Sequence, residues 1–224
     1  MANRAYASLW FRDFSESTQL EHFSQFLQTV PYSATRPGFT QLVIHALDPA
    51  EVPVQEHDLR SIPLDAASII ELSSESLHAD SAYETEAYWD LWVYDATLSK
   101  WQLVPQPLGI FCYGEDYDDA TWQENGHVQV DIGSEHLFTG HAGLLGFRRD
   151  RAAQPQHPAE ADFLAAMAEP TRLEEYQDKT RANIRKLLDW TQRLETRVPT
   201  ERLRLWSEGE ENFEARLEEI LVVR

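Results

Sequence analysis

Residues 88–94 read Tyr-Trp-Asp-Leu-Trp-Val-Tyr, and the fold class turns on that run. In an extended chain, Trp89, Leu91 and Val93 share one face, while Tyr88, Asp90, Trp92 and Tyr94 share the other. After a turn at Asp95 to Lys100, Trp101-Gln102-Leu103-Val104 returns as the partner of a hairpin. Pro105 and Pro107 lack a backbone N–H, so a central strand is not expected across them. Gly109 to Tyr113 and Val128 to Ile132 follow as further strands. A half-exposed sheet needs only one apolar face. The rings on both faces of 88–94 therefore predict either a cover from the tail or an exposed aromatic surface with Asp90 in its middle.

Upstream, the alternation of Ala5, Ala7, Leu9 and Phe11 with Tyr6, Ser8 and Trp10 predicts a first strand. Ser15 or Ser17 then caps a helix with Leu20, Phe23, Leu27 and Val30 on one face. Pro37-Gly38 turns the chain into a second strand over 39–47. Residues 48–65 carry three prolines and read as an extended connection. For 66–77 both a helix capped by Asp65 and a short strand fit, and the helix is preferred.

Downstream, a helix opens at Pro158 and ends before Pro170. A longer amphipathic helix carries Leu173, Tyr176, Ile184, Leu187, Leu188 and Leu194. Pro199-Thr200 then starts a last helix with Leu203, Trp206, Phe213, Leu217 and Ile220 on one side. The expected fold is α+β: a mostly antiparallel sheet of about five strands, one or two packed helices, and a C-terminal helical hairpin. Residues 1–149 form an acidic, aromatic-rich unit, 150–158 a hinge, and 159–224 a helical region that packs on the sheet or pairs with a second copy as a homodimer.

Charge is unevenly spread. The 224 residues carry a formal net charge of -19, with 22 acidic and 7 basic residues in 1–149 against 16 and 12 in 150–224. Between Gly38 and Phe147 the only Lys or Arg residues are Arg60 and Lys100. Such a surface repels nucleic acid, whose binding rests on phosphate neutralisation, and attracts basic proteins or cations. One cysteine, Cys112, rules out an intramolecular disulfide, and its apolar strand context predicts an inert buried thiol. No apolar run has the length of a signal peptide or a bilayer span, so no membrane association and a cytoplasmic location are expected.

Two constellations carry chemistry. The run Glu115-Asp116-Tyr117-Asp118-Asp119 is dense enough in carboxylates to grip Lys and Arg of a partner, but lacks the spacing of a calcium loop. His127 and Asp131 alternate onto one strand face, with Glu135, His136 and His141 beyond, and are the weak candidates for metal ligation or acid–base work. Ser134 lies outside a Gly-x-Ser-x-Gly elbow, and no glycine-rich phosphate loop occurs. The leading expectation is a non-enzymatic interaction module, inhibitor-like or immunity-like, with no cofactor. It would bind a basic protein through Asp90, Trp92, Tyr94, Glu115, Asp116, Tyr117, Asp118 and Asp119. The alternatives are a metal-assisted hydrolase using His127, Asp131 and the 115–119 carboxylates, and a glycan or small-molecule binder on Trp92 and Tyr94.

Overall fold

The computed structural model describes residues 3–95, 98–141, 144–145 and 158–222. Within them lies one seven-stranded sheet in the order β3-β2-β4-β5-β6-β1-β7. Its strands are β1 (Arg4–Phe11), β2 (Phe39–Ala46), β3 (Gln55–Asp58), β4 (Ser81–Asp95), β5 (Lys100–Tyr113), β6 (Val128–Ser134) and β7 (Thr200–Ser207), and every pairing is antiparallel. The helices are α1 (Glu16–Leu27), α2 (Ala66–Ser74), α3 (Trp122–Asn125), α4 (His136–Thr139), α5 (Pro158–Met167), α6 (Pro170–Arg197) and α7 (Phe213–Val222). The α+β class with a mostly antiparallel sheet is as the sequence predicts. Among the described residues no helix is long and apolar enough to cross a membrane.

The period-2 pattern places the core on one sheet face. Leu9 and Phe11, Leu42 and Ile44, Tyr83, Trp89 and Leu91, Ile110, and Val128 and Val130 are all buried there. Against them pack Phe23 and Phe26 of α1, Ile69 of α2, Phe138 of α4, Ile184, Leu187 and Trp190 of α6, and Phe213 and Leu217 of α7. Asp65 caps α2 through Ser68 N–H, which settles 66–74 as helix. The apolar stripe of α6 is thus buried within this chain, and the tail covers the sheet.

The opposite face is largely open. The register aligns Glu56, Val43, Glu84, Phe111, Gln129, Ser8 and Arg204 in one row across all seven strands. Next to it run Asp58, Gln41, Glu86, Gly109, Asp131, Tyr6 and Trp206. Carboxylates therefore mark the β3–β4 side and arginines the β7 side. Only the turn around α3 packs over part of this surface among the described residues, with Tyr117 and Trp122 against Ala82, Phe111 and Tyr113.

Three expectations need correction. Residues 200–207 form strand β7 rather than the start of a helix, so α6 and α7 are separated by a strand instead of forming a helical hairpin. Leu203 and Leu205 alternate with Arg202, Arg204 and Trp206, and pairing with β1 selects that period. Trp206 stacks on Tyr6 at 4.4 Å and donates its indole N–H to Ser8 Oγ at 3.0 Å. Residues 55–58, read as connection, form the polar edge strand β3. Third, Pro105 and Pro107 lie inside the continuous strand β5.

The prolines are tolerated because of how the hairpin extends. β4 pairs with β2 only as far as Ala87. Beyond it the freed edge is covered by polar groups from elsewhere: Ser33 N–H donates to Tyr88 C=O and Lys186 Nζ to Asp90 C=O, while Asn183 accepts Trp92 N–H through Oδ1 and donates to Trp92 C=O through Nδ2. Tyr88, Asp90 and Trp92 thus turn their carbonyls outward. Their cross-strand partners Pro107, Pro105 and Leu103 then direct their backbone groups away from β4. On that side β6 pairs only with Gly109 to Cys112, so the missing N–H groups break no ladder bond.

Candidate functional site

The extended end of the β4–β5 hairpin meets α4, α5 and α6 around a cavity of about 390 Å³. Trp92, Val93, Tyr94 and Trp101 line it from the strands, His136, Leu137 and His141 from α4 and the turn after it, Glu160 and Phe163 from α5, and Tyr176, Thr180 and Asn183 from α6. That volume falls in the range of small-molecule sites, which are mostly apolar with a few convergent polar groups.

Four of its rings touch in a closed circuit. Tyr94 lies 5.4 Å from Trp101, Trp101 5.4 Å from Tyr176, Tyr176 5.6 Å from Phe163, and Phe163 5.6 Å from Tyr94, measured between centroids. All four pairs are tilted or edge-on, the arrangement aromatic quadrupoles favour. His141 stands 5.8 Å from Phe163, and its Nε2 is 3.0 Å from Glu160 Oε1. Tyr176 Oη accepts the His141 backbone N–H at 2.7 Å, and burial pushes the phenol up to about 12, so it stays neutral. Asn183 is fully engaged: Oδ1 accepts Trp92 N–H, and Nδ2 donates to Trp92 C=O and Leu137 C=O. Among the described residues the rest of the wall is mostly aromatic, with His141 and Glu160 as a polar pair.

Of the residues singled out from sequence, Trp92 and Tyr94 belong to this cavity, and Asp90 lies two residues before Trp92. Asp90 is bound within the chain, its Oδ2 accepting Ala34 N–H at 2.9 Å. Lys179 Nζ stands 3.5 Å from the Trp92 centroid, so the tail partly covers the aromatic face.

The 115–119 run lies at the other end of the sheet, because Tyr113 pairs with Ala82 at the start of β4 while Trp101 pairs with Tyr94 near its end. The two halves of the expected partner surface are therefore not brought together. Glu115 Oε2 accepts the first N–H of α1 at 3.0 Å, a helix-terminus contact. Tyr117 is buried against Tyr113. Asp118 and Asp119 adopt φ of 47° and 51° in a left-handed turn, a conformation Asp tolerates better than most residues. Asp116 and Asp119 are exposed.

His127 and Asp131 also part company. Asp131 makes a bidentate ion pair with Arg4, the shortest contact 2.6 Å. His127 is buried, with Nδ1 accepting Phe11 N–H at 2.9 Å and the ring stacked on Phe14 at 3.9 Å and near Trp122 at 4.4 Å. Among the described residues no three His, Cys, Asp or Glu side chains come together as a metal site requires. Cys112 is wholly buried, and burial raises its thiol.

Burial, and secondarily His22, depresses His127 to about 4. Between about 4 and the ordinary imidazole value, the unfolded chain binds this proton and the folded chain does not. Stability is therefore full above the ordinary value and falls as pH drops through that window, by roughly 2 kcal/mol after allowing for screening. His127→Gln keeps an acceptor for Phe11 N–H but cannot titrate. Its stability, measured by urea unfolding from pH 7 to 4, should fall less steeply than the wild type's; parallel curves would refute the assignment.

Comparison with protein-family models, curated proteins and solved structures finds no match to this chain. What the fold and the cavity define is an α+β protein with helices on one sheet face and an aromatic pocket where the long hairpin meets α5 and α6. Phe163 and Tyr176, which close that pocket, stand in the sequence simply as residues of the helix that opens at Pro158 and of the longer helix after it. The signal that marks them is aromatic character on helices otherwise dominated by aliphatic and charged residues, and by itself it has no direction.

Proposed function

We propose that this chain is a binding module whose site is the pocket between the β4–β5 hairpin and helices α5 and α6. The observation that carries this reading is the closed circuit of Tyr94, Trp101, Tyr176 and Phe163 around a cavity of about 390 Å³. Aromatic walls recognise flat or bulky apolar groups through contact area and ring stacking. The ligand is a small molecule, or a side chain presented by a partner protein. The pocket retains two of the residues that the charge and aromatic pattern point to, Trp92 and Tyr94, and moves the recognition surface away from the acidic run.

A neutral naphthyl probe tests the reading. It should quench tryptophan fluorescence and raise the unfolding temperature, since a ligand at a hundred times its Kd adds about 2.7 kcal/mol of stability. Phe163→Ala should weaken probe binding at least tenfold, whereas Asp116→Lys, at the far end of the sheet, should leave it unchanged. Equal binding to wild type and Phe163→Ala, or no binding at millimolar probe, would overturn the assignment.

A further inference from the structure

We propose that a second, smaller cavity of about 200 Å³ on the open face of the sheet receives a guanidinium group. His45 of β2, Glu84 of β4 and Tyr113 of β5 line it from the strands, and Tyr117, Asp118 and Asn125 from the turn and short helix that follow. It lies where Tyr113 pairs with Ala82. The undescribed internal positions follow Asp95, His141 and Leu145, which sit with the aromatic pocket at the other end of the hairpin. A space of this size holds a side-chain head group rather than a drug-sized molecule.

The first observation is a hydroxyl the fold does not use. Tyr117 is only 3% exposed, yet among the described residues its Oη makes no hydrogen bond. That oxygen is not sealed in the core, so it opens on the cavity its ring lines. A buried phenol without a partner is costly, and an N–H from a ligand relieves that cost. Second, the groups around it are acceptors. Glu84 engages His45 Nε2 through Oε2 at 3.2 Å; among the described residues its Oε1 and the Asp118 carboxylate have no hydrogen-bond partner. Burial, then Asp118, Asp48 and Glu84, push the Tyr117 phenol up to about 12, so it stays neutral among carboxylates. No Lys or Arg is in the described lining: Arg60 pairs with Asp58, and Lys100 lies opposite Asp95 at the other end of the hairpin.

Third, the shape favours a planar cation. Tyr113 and Tyr117 lie 5.9 Å apart between centroids and within 22° of parallel, and Phe111 continues the row at 6.1 Å and 11°. Guanidinium stacks on such faces and spreads five N–H donors in one plane, whereas an ammonium is compact and strongly hydrated. Among the described residues no three His, Cys, Asp or Glu side chains converge as a metal ion requires, so the acceptors here ring a space instead of closing on a point. The Asn125 amide gives Nδ2 to Thr121 Oγ1 and keeps its carbonyl oxygen for a further donor.

Guanidinium occurs on the arginine of a partner protein and in free guanidino compounds. Amide NMR titration of the full chain separates these with a short capped arginine peptide, its lysine and citrulline counterparts, and methylguanidine. Citrulline carries an uncharged urea of the same shape. The arginine peptide should shift the Glu84, Tyr117 and Asp118 amides and bind about tenfold more tightly than either counterpart, the scale of a hydrogen bond to a charged group. Glu84→Gln should weaken it by about the same factor. Tyr117→Phe removes only the unbonded hydroxyl, so it should weaken arginine binding while leaving the urea midpoint unchanged. A peptide that outbinds methylguanidine assigns the site to a partner's arginine, and the reverse to a free guanidino compound; both support the guanidinium seat. Citrulline or lysine binding as tight as arginine's, unchanged arginine binding in either variant, or no shift at millimolar peptide overturns it. A fall in the Tyr117→Phe midpoint overturns it too, since the hydroxyl would then serve the fold.

Discussion

Trp190→Ala is expected to lower the stability of this protein by about 3–5 kcal/mol, the cost of deleting a buried indole. The ring is fully buried where three elements meet. It packs edge-on to Trp89 of β4 at 6.0 Å and to Phe26 of α1 at 6.1 Å, while its own helix is α6. Its N–H reaches Thr29 Oγ1 at 3.2 Å, and that hydroxyl in turn donates to Phe26 C=O. Truncation opens a cavity that none of the three elements closes alone, because each is pinned by its own contacts to the sheet. It also strands a buried hydroxyl without its donor. The unfolding midpoint in urea should fall with an unchanged slope, and the melting temperature by on the order of 10 °C for a chain of this size. Trp190→Phe keeps the edge-on contacts and should lose far less. A loss below 1 kcal/mol for the alanine variant would show that α6 does not seal the core at this point.

That packing centre was half visible in the sequence. The alternation at 88–94 identifies Trp89 as a core-facing strand residue, and the 3.6-residue spacing of Ile184, Leu187 and Leu194 identifies the face of α6. Local periodicity reports which side of an element is apolar, and so the sheet, α1 and α6 were legible. It does not report which distant element covers that side. β7 shows the limit sharply: Leu203 and Trp206 are three apart and fit a helix, while Leu203 and Leu205 fit a strand. Only pairing with β1, some 195 residues earlier, decides between them. β3 was invisible because Gln55-Glu56-His57-Asp58 has no apolar alternation to read. The same logic governs the pocket. Trp92 and Tyr94 stood out as a second aromatic face, but the rings that close it come from two helices after a long connection. The acidic run stood out by density alone, and density does not say that Glu115 caps a helix or that Tyr117 is buried.

Asn183→Leu is the second substitution with a large expected effect, and it tests how the hairpin end is held against the helices. Leucine nearly matches asparagine in shape, so the change removes hydrogen bonds without opening much space. Three backbone groups lose their partners: Trp92 N–H, bonded at 2.8 Å, Trp92 C=O at 3.0 Å, and Leu137 C=O at 3.0 Å. Asn183 is 2% exposed, so water does not readily replace it. Each orphaned buried group costs about 1–3 kcal/mol, and a total loss near 3 kcal/mol is expected once partial relaxation is allowed. The effect should be local as well as global. Among the described residues no strand neighbours the outer edge of β4 beyond Ala87, and an uncovered edge opens readily to solvent. Hydrogen exchange at the Trp92 amide should therefore accelerate well beyond what the global destabilisation accounts for, and probe binding in the pocket should weaken because Trp92 and Tyr94 share that edge. Asn183→Asp separates the two bonding roles. It keeps the acceptor for Trp92 N–H, loses both donated bonds and places a carboxylate against two carbonyl oxygens, so it should be at least as damaging as leucine. If Asn183→Leu unfolds at the wild-type midpoint with its Trp92 amide still protected, the edge is held by the Lys186 and Ser33 contacts instead. The pocket would then owe its shape to the aromatic circuit alone.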